Sequence, residues 1–386
     1  MYVSFESLSN HHNILDYLLS RFSPVICVFL RSPVHPRTSS RVTVYLDGNP
    51  AWSRPLFSIR SHPRSPSSIL SHLIAVTQIL IYVVYLRRKF HLHPVLYFSS
   101  FSIHSLVGIF LSRSRVVGTS LRWVLDYLVP PGPSSSILER ILVASHRPFE
   151  RITVSMSDAV WFVSENLGRR HGGIDGNSHH LVVPFGMNSS SIGPESSRNV
   201  IGYIGTLLRD RVSLEALISA LPAVVNVFPD LRVEIVGSGP DEDALKGAVS
   251  SSGLSHAFAF RHHVFGNELN SLMENWKVGL CLYNRRGGTR DQTDPGYGVS
   301  SKASEYLSRA VPVLCVNSPQ IAAEIKMEDA GVVLDNDFNR DALVDALSFM
   351  LGNYTELRKG AIRIAEKYEY LSLYDRGMRD SIFHTS

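Results

Sequence analysis

Cysteine is scarce. The chain has three in 386 residues, Cys27, Cys281 and Cys315, each within an apolar run (PVICVFL, VGLCLY and VPVLCV). An odd number of widely separated thiols excludes a disulfide-stapled scaffold, and no CxxC spacing offers a zinc site, so all three are expected as reduced core residues. Carboxylates and cysteines are also missing around the histidine clusters His91-x-His93, His11-His12, His179-His180 and His262-His263, so no metal is expected. The N-terminal MYVSFESLSN lacks a basic segment followed by an apolar one, which predicts a cytoplasmic chain rather than a secreted one. Long apolar stretches are limited to Ile69–Leu86, interrupted by Ser71, His72, Thr77 and Gln78 and followed by Arg87, Arg88 and Lys89. This run falls short of the roughly 20 residues that cross a bilayer and leads into the strand-like HPVLYFSS, so it reads as a buried helix. The basic stop keeps an interfacial helix open as a second reading and a span as a third.

What is present points to a folded protein of two domains. Apolar residues make up 44% and aromatics 10%, which excludes a disordered chain and a coiled coil. A chain of 386 residues exceeds one ordinary core and suits two domains of about 150 to 200 residues. The net charge of +4 hides an asymmetry: residues 1–170 carry 17 Arg and 1 Lys against 8 acids, a balance of +10, and the remainder carries 20 basic against 26 acidic residues, a balance of −6. A basic half can attract nucleic acid, anionic lipid or a phosphorylated acceptor. Its cations are scattered among Ser and Pro with no interleaved aromatics, so nucleic acid is not expected as a partner.

Short β-rich runs alternate with helical patterns throughout, the signature of an α/β chain whose parallel sheets are covered by helices. In the first half the strands are predicted at Tyr2–Phe5, Val25–Leu30, Val42–Leu46, Val95–Phe98, Val116–Thr119 and Val160–Val163, with helices near 13–22, 68–90, 104–112 and 136–151. The polar stretch MNSSSIGPESSRN has the composition of a linker, which sets the expected division. Residues 1–187 form a first domain, 188–199 the linker, 200–365 a second domain, and 366–386 a helical tail returning to the first. The second domain restarts with NVIGYIG and continues through LRVEIVGSGP, AFAFRHHV, VGLCLYN, VPVLCV and AGVVLD, with helices between them and a helical tail from Asp341.

Three local patterns could carry chemistry. Gly237-Ser238-Gly239-Pro240 follows an apolar strand and precedes the acidic helix start Asp241-Glu242-Asp243. Glycines at such a turn let backbone approach an anion, but the dinucleotide fingerprint needs a third glycine where Glu242 stands and the three acids would repel a pyrophosphate, so a simple turn is the preferred reading. Gly205 ends the strand GYIG, with Arg209 and Arg211 just beyond; these can present forked donors to a diphosphate or form a solvated basic loop. In GYGVSSKASEYL, Ser300 or Ser301 can cap a helix on which Lys302 and Glu305, three apart, share a face. That pair could meet one ligand or be a surface ion pair.

Together these patterns resemble the nucleotide-binding domain of GT-B glycosyltransferases, specifically glycosyltransferase family 4, the group 1 type. GYIGTLLRDR is similar to the family's glycine-to-cation phosphate element, LRVEIVGSGPDEDAL to its "ivGxGp" strand and turn, and KASEYLSRAVPVLC to its "KxxEY…PV" segment. In the first half, YVSFESLS with NILDYLL resembles the opening strand and helix, SDAVWFVSE the "aDaVxxvSe" segment, and VVPFGMN the "pnGv" before the linker. The resemblance implies two Rossmann-like, doubly wound domains facing a central cleft. It implies a retaining, metal-independent hexosyl transfer without a cofactor, from a UDP- or GDP-linked sugar to a glycan or lipid-linked acceptor in polysaccharide or glycoconjugate assembly. By position, Glu305 would hold the nucleotide ribose, and Arg211, Arg209 and Lys302 would neutralise the departing diphosphate. Gly205, Gly237 and Ser301 would line the donor site, and the opening loop with Ser9, Asn10 and His11 would close over the phosphates. The basic half and its apolar helix add peripheral contact with an anionic membrane at the inner face of the cell membrane.

Several residues depart from the family pattern. Tyr297 stands where paired glutamates eight apart would put a carboxylate, Ala310 replaces a glycine, and Ser300 a proline. Leu121 stands near the slot of a histidine that many relatives have. The nearest acid is Asp126, which could orient an acceptor hydroxyl or the donor sugar, or fix a loop. His104, after a strand, could line the cleft or be a structural histidine. These departures leave open a catalytically degenerate, transferase-like nucleotide-binding protein, and beyond it a nucleotide-dependent oxidoreductase or epimerase.

Overall fold

The computed structural model describes residues 2–5, 13–30, 40–56, 66–90, 96–100, 102–125, 137–171, 179–189, 192, 199–208, 213–262, 264, 266–282, 301–317 and 319–382. Two compact units divide the chain, Met1–Pro184 with Tyr370–Ser386, and Phe185–Glu369.

The first unit holds β1 (Tyr2–Phe5), α1 (Ile14–Arg21), β2 (Val25–Leu30), β3 (Arg41–Leu46), β4 (Asn49–Pro55), α2 (Pro66–Phe90), β5 (Leu96–Ser99), α3 (Ser102–Arg113), β6 (Thr119–Val124), α4 (Ile137–Met156), β7 (Ala159–Phe162), α5 (Glu165–Arg170) and β8 (His180–Val182). Its eight-stranded sheet runs β4-β3-β2-β1-β5-β6-β7-β8. Strands β2, β1, β5, β6, β7 and β8 are parallel to their neighbours in that order, and β3 lies antiparallel to both β2 and β4. That hairpin is absent from the sequence expectation, although Asp47-Gly48 marks it: both residues have positive φ, 48° and 78°, as a tight primed turn requires. β4, with Pro50 and Pro55, is mostly exposed, as suits an edge strand that cannot donate at every residue.

The strand expected at Val116–Thr119 lies instead at Thr119–Val124, buried along its whole length. Arg122 disguised it. Its guanidinium is 3% exposed, pairs with Glu150 of α4 at 2.8 Å and donates to the Trp123 carbonyl at 3.0 Å, so a cation sits inside the sheet's cover with its charge matched. Beneath it, Phe98, Trp123 and Trp161 from β5, β6 and β7 pack ring on ring. The last helix of the chain, α13 (Tyr370–Ile382), adds Tyr374 against both tryptophans, and Ser381 accepts the Trp161 indole N–H at 2.8 Å.

The second unit holds β9 (Val200–Ile204), α6 (Leu214–Val227), β10 (Arg232–Val236), α7 (Glu242–Ser251), β11 (Phe258–Arg261), α8 (Asn267–Met273), β12 (Trp276–Cys281), α9 (Ser301–Leu307), β13 (Val313–Val316), α10 (Pro319–Met327), β14 (Gly331–Leu334), α11 (Arg340–Gly352) and α12 (Tyr354–Lys367). The six strands are all parallel, in the order β11-β10-β9-β12-β13-β14. Numbered within the unit this is 3-2-1-4-5-6, the doubly wound order of dinucleotide-binding sheets. Leu217, Leu221 and Val224 of α6 repeat at helical spacing and close the core on one face. On the other, Trp276 reaches over Gly202 to donate its indole N–H to the buried Glu234 at 2.7 Å. The helical tail expected from Asp341 is three helices, α11, α12 and α13. The cysteines, distant in sequence, are not all distant in space: Cys281 and Cys315 are register partners across β12 and β13, all three are free, and burial pushes the Cys27 thiol up to about 12. Among the described residues no helix is long and apolar enough to cross a membrane.

Candidate functional site

In an open parallel sheet the ligand crevice lies beyond the carboxyl ends of the strands where the strand order reverses. In the second unit that place is between β9 and β12. Local sequence shapes it. β9 ends at Ile204, and the chain turns through Gly205 at a φ of +139°, which L side chains rarely adopt. A Cβ at that position would lie 2.7 Å from the Lys302 ammonium nitrogen, so the absence of a side chain at Gly205 makes room for this cation.

Lys302 is in the first turn of α9, and Tyr203 determines where its head group rests. The ammonium donates to the Tyr203 hydroxyl at 3.1 Å and lies 4.6 Å from the centre of the same ring, so one phenol holds the cation by oxygen and by ring face. The hydroxyl in turn donates to the Thr206 carbonyl at 3.0 Å. Burial drives the Tyr203 phenol well above the ordinary range, which keeps it a neutral hydrogen-bonding group. Tyr306, on the same helix, accepts from the Ile204 N–H at 3.0 Å and donates to the Leu280 carbonyl at 3.2 Å. It therefore spans from β9 to β12 and anchors α9 at the point of reversal. Its ring lies where a Cβ at Gly279 would be, 2.4 Å from the nearest ring carbon.

The sequence-predicted residues distribute unevenly around this centre. Gly205 and Lys302 are in direct proximity, Ser301 is exposed at the start of α9, and Glu305 is half-buried one turn further on. Gly237 joins them through packing, not as an open cradle. A Cβ there would lie 2.0 Å from the Gly205 carbonyl oxygen, and one at Gly239 would lie 2.2 Å from that of Leu207. The loops after β9 and β10 are laced by Gly205 N–H to Val236 carbonyl at 2.9 Å and Leu207 N–H to Ser238 carbonyl at 3.1 Å. The glycines of GSGP are thus explained by the close approach of two backbones. His104 lies in the first turn of α3 with no exposed surface. Ser9, Asn10, His11, Asp126, Arg209, Arg211 and Tyr297 fall outside the described residues.

Tyr203 and Tyr306 lie inside the GYIG and KASEY segments, but sequence alone assigns neither a role. The available signal was their adjacency to chemistry-bearing neighbours: Tyr203 sits between two glycines, and Tyr306 follows Glu305. Among the described residues no three His, Cys, Asp or Glu side chains gather as a metal site.

Comparison with known proteins agrees with this layout. No curated protein matches the sequence. Residues 188–368 match the family described as "Glycosyl transferases group 1". Among solved structures, the chain is similar to sucrose-phosphate synthase from Thermosynechococcus elongatus, at 15% identity over 84% of this chain and 82% of that one, with a TM-score of 0.59. It is similar to Anabaena HepE, solved in complex with UDP and glucose, at 14% identity over 83% and 84%, with a TM-score of 0.56. A variant of S. aureus TarM, in complex with fondaparinux, α-GlcNAc-glycerol and UDP, aligns at 11% identity over 90% and 68%, with a TM-score of 0.57. Identities this low speak for the fold alone. A 3-2-1-4-5-6 sheet, a lysine held beside a strand-end glycine at its reversal point, and the match over the same unit make residues 188–368 similar to the glycosyl transferases group 1 family, and the solved structures give the chain the GT-B fold.

Proposed function

We propose that the chain is a retaining, metal-independent glycosyltransferase that takes a hexosyl group from a UDP- or GDP-linked sugar and delivers it to a glycan or lipid-linked acceptor, in polysaccharide or glycoconjugate assembly. The observation that carries this reading is the Lys302 ammonium, held by Tyr203 beside Gly205 where the strand order reverses. When the bond from the anomeric carbon to the diphosphate oxygen breaks, negative charge accumulates on the nucleoside diphosphate. A fixed cation in a site sheltered from water stabilises that developing charge more than it stabilises the intact donor, which is what accelerates the step. In this reading Arg211 and Arg209 share the diphosphate with Lys302, Glu305 accepts from the ribose hydroxyls, and Asp126 orients the acceptor or donor sugar. The chain itself needs no cofactor.

Calorimetric titration with UDP, GDP, ADP and NAD tests the proposal. One nucleoside diphosphate is expected to bind in preference to the rest, and Lys302→Ala is expected to weaken it about 10- to 100-fold, the worth of one hydrogen bond to a charged group. Binding of NAD alone would overturn the reading in favour of an oxidoreductase, against which the closed packing of Gly237 on Gly205 already weighs. A second reading, a nucleotide-binding protein without turnover, is favoured by Tyr297 at a position where the family pattern has a carboxylate. Release of nucleoside diphosphate from any nucleotide sugar, with or without acceptor, separates the two.

A further inference from the structure

Helix α2 is apolar on two faces. Ile79, Val83 and Leu86 are buried against Val28, Val42, Val44 and Tyr97 of the first sheet. The opposite face carries Ile81, Val84 and Tyr85, which are 62%, 50% and 44% exposed. Spacings of three and four place these on one stripe, continued at the C-terminal end by exposed Arg88 and Lys89. With Leu80 they line a shallow groove of about 730 Å³. Trp52 of β4 lies beside it, 6.2 Å from the Tyr85 ring, and the Lys89 ammonium lies 5.7 Å from the centre of Trp52 and 5.6 Å from that of Tyr85.

We propose that this face docks on an anionic lipid surface, with Ile81, Val84 and Tyr85 entering the boundary of headgroups and acyl chains while Arg88 and Lys89 meet lipid phosphates. Charge complementarity identifies the occupant. Between Asp47 and Asp126 the sequence has no acidic residue at all, while it has eight Arg and one Lys. A second copy of the face would bring more cations and no carboxylate. A lipid surface supplies an apolar layer beneath an anionic one, the order in which this helix presents its side chains. Aromatic rings with a cation above them suit the same depth, where one end of the ring is apolar and the other wet. The docking needs no nucleotide, so its failure would leave the transferase reading intact, and the reverse also holds.

The test is flotation of the full chain with vesicles of phosphatidylcholine alone and with added phosphatidylglycerol, at physiological salt, alongside its elution volume in gel filtration. The chain is expected to float with the anionic vesicles as a monomer. Ile81→Ser with Val84→Ser should lower binding about ten-fold by removing the buried apolar area, and Arg88→Glu about 25-fold, since it changes the charge by two. All of these positions are exposed, so circular dichroism should report the same fold in each variant. Wild-type protein that stays with the unbound fraction, binding that survives both sets of changes, or a dimer that Ile81→Ser with Val84→Ser splits would each overturn the proposal, the last in favour of a second copy.

Discussion

The smallest decisive unit is the pair of Tyr203 and Lys302. A lysine side chain is a mobile point charge, and a phosphate-binding role needs it held where the charge develops. Tyr203 does this without competing for the positive charge, because its buried phenol stays neutral and offers an oxygen lone pair and a ring face. Tyr203→Phe keeps the ring and removes only the hydroxyl, so nucleoside diphosphate affinity is expected to fall about 3- to 10-fold, the net worth of one hydrogen bond. Affinity for the nucleoside without phosphate should not change, and comparing the two by calorimetry distinguishes a positioning role from general loosening of the unit. Sequence spacing had singled out Gly205 and Lys302, about a hundred residues apart. It could not show that Tyr203 joins them, because a tyrosine in a strand has the same local signature whether it packs or positions.

At the scale of elements, β6 shows how a buried charge hides a strand. TSLRWV reads as interrupted because an arginine in a central strand is costly to desolvate unless a partner is present. That partner, Glu150, comes from α4; burial holds the Arg122 guanidinium below its ordinary value, and the Glu150 carboxylate works against that shift. His171 lies 3.9 Å from the same carboxylate, and burial lowers its pKa, so it adds little positive charge at neutral pH. Glu150→Ala is therefore expected to destabilise the first unit by about 3–5 kcal/mol, because it strands a buried guanidinium. The shift of the denaturant midpoint measures this, and a change below about 1 kcal/mol would mean that water or another group takes the carboxylate's place. The second sheet was easier to read, since its strands are short apolar runs, several of them bounded by glycines, that alternate with helical patterns, and periodicity identifies such elements well.

At the scale of the whole molecule, the chain's last helix completes the first unit. Asp375 of α13 accepts from the Tyr17 hydroxyl at 3.0 Å and pairs with Arg21 at 2.6 Å, both on α1. The hydrogen bond from Arg21 leads the causes that hold this carboxyl below its ordinary value of 3.8. A carboxyl depressed on folding contributes stability above its unfolded pKa, and the contribution is lost as pH falls through the folded value. Asp375→Asn should accordingly flatten the acid limb of the stability profile below about pH 4 and cost about 1 kcal/mol or less at neutral pH, given the exposure of the pair. Thermal midpoints across the acid range would show this; an unchanged acid limb would mean that the pair is not formed in solution.

Local sequence determined the α/β class, most strand and helix positions in both halves, and the residues around Gly205 and Lys302 that deserved attention, because periodicity, turn chemistry and motif spacing act over a few residues at a time. It also carried the Asp47-Gly48 hairpin signal. Only the tertiary structure decided that the GSGP glycines serve backbone packing, that Arg122 is an interior residue, that Cys281 and Cys315 are neighbours, and that α2 turns a second apolar face outward. The physical reason is common to all four. Each depends on what a distant segment brings into contact, and the cost of burying a group or the room left for a Cβ is set by that partner rather than by the residue's own neighbours in the chain.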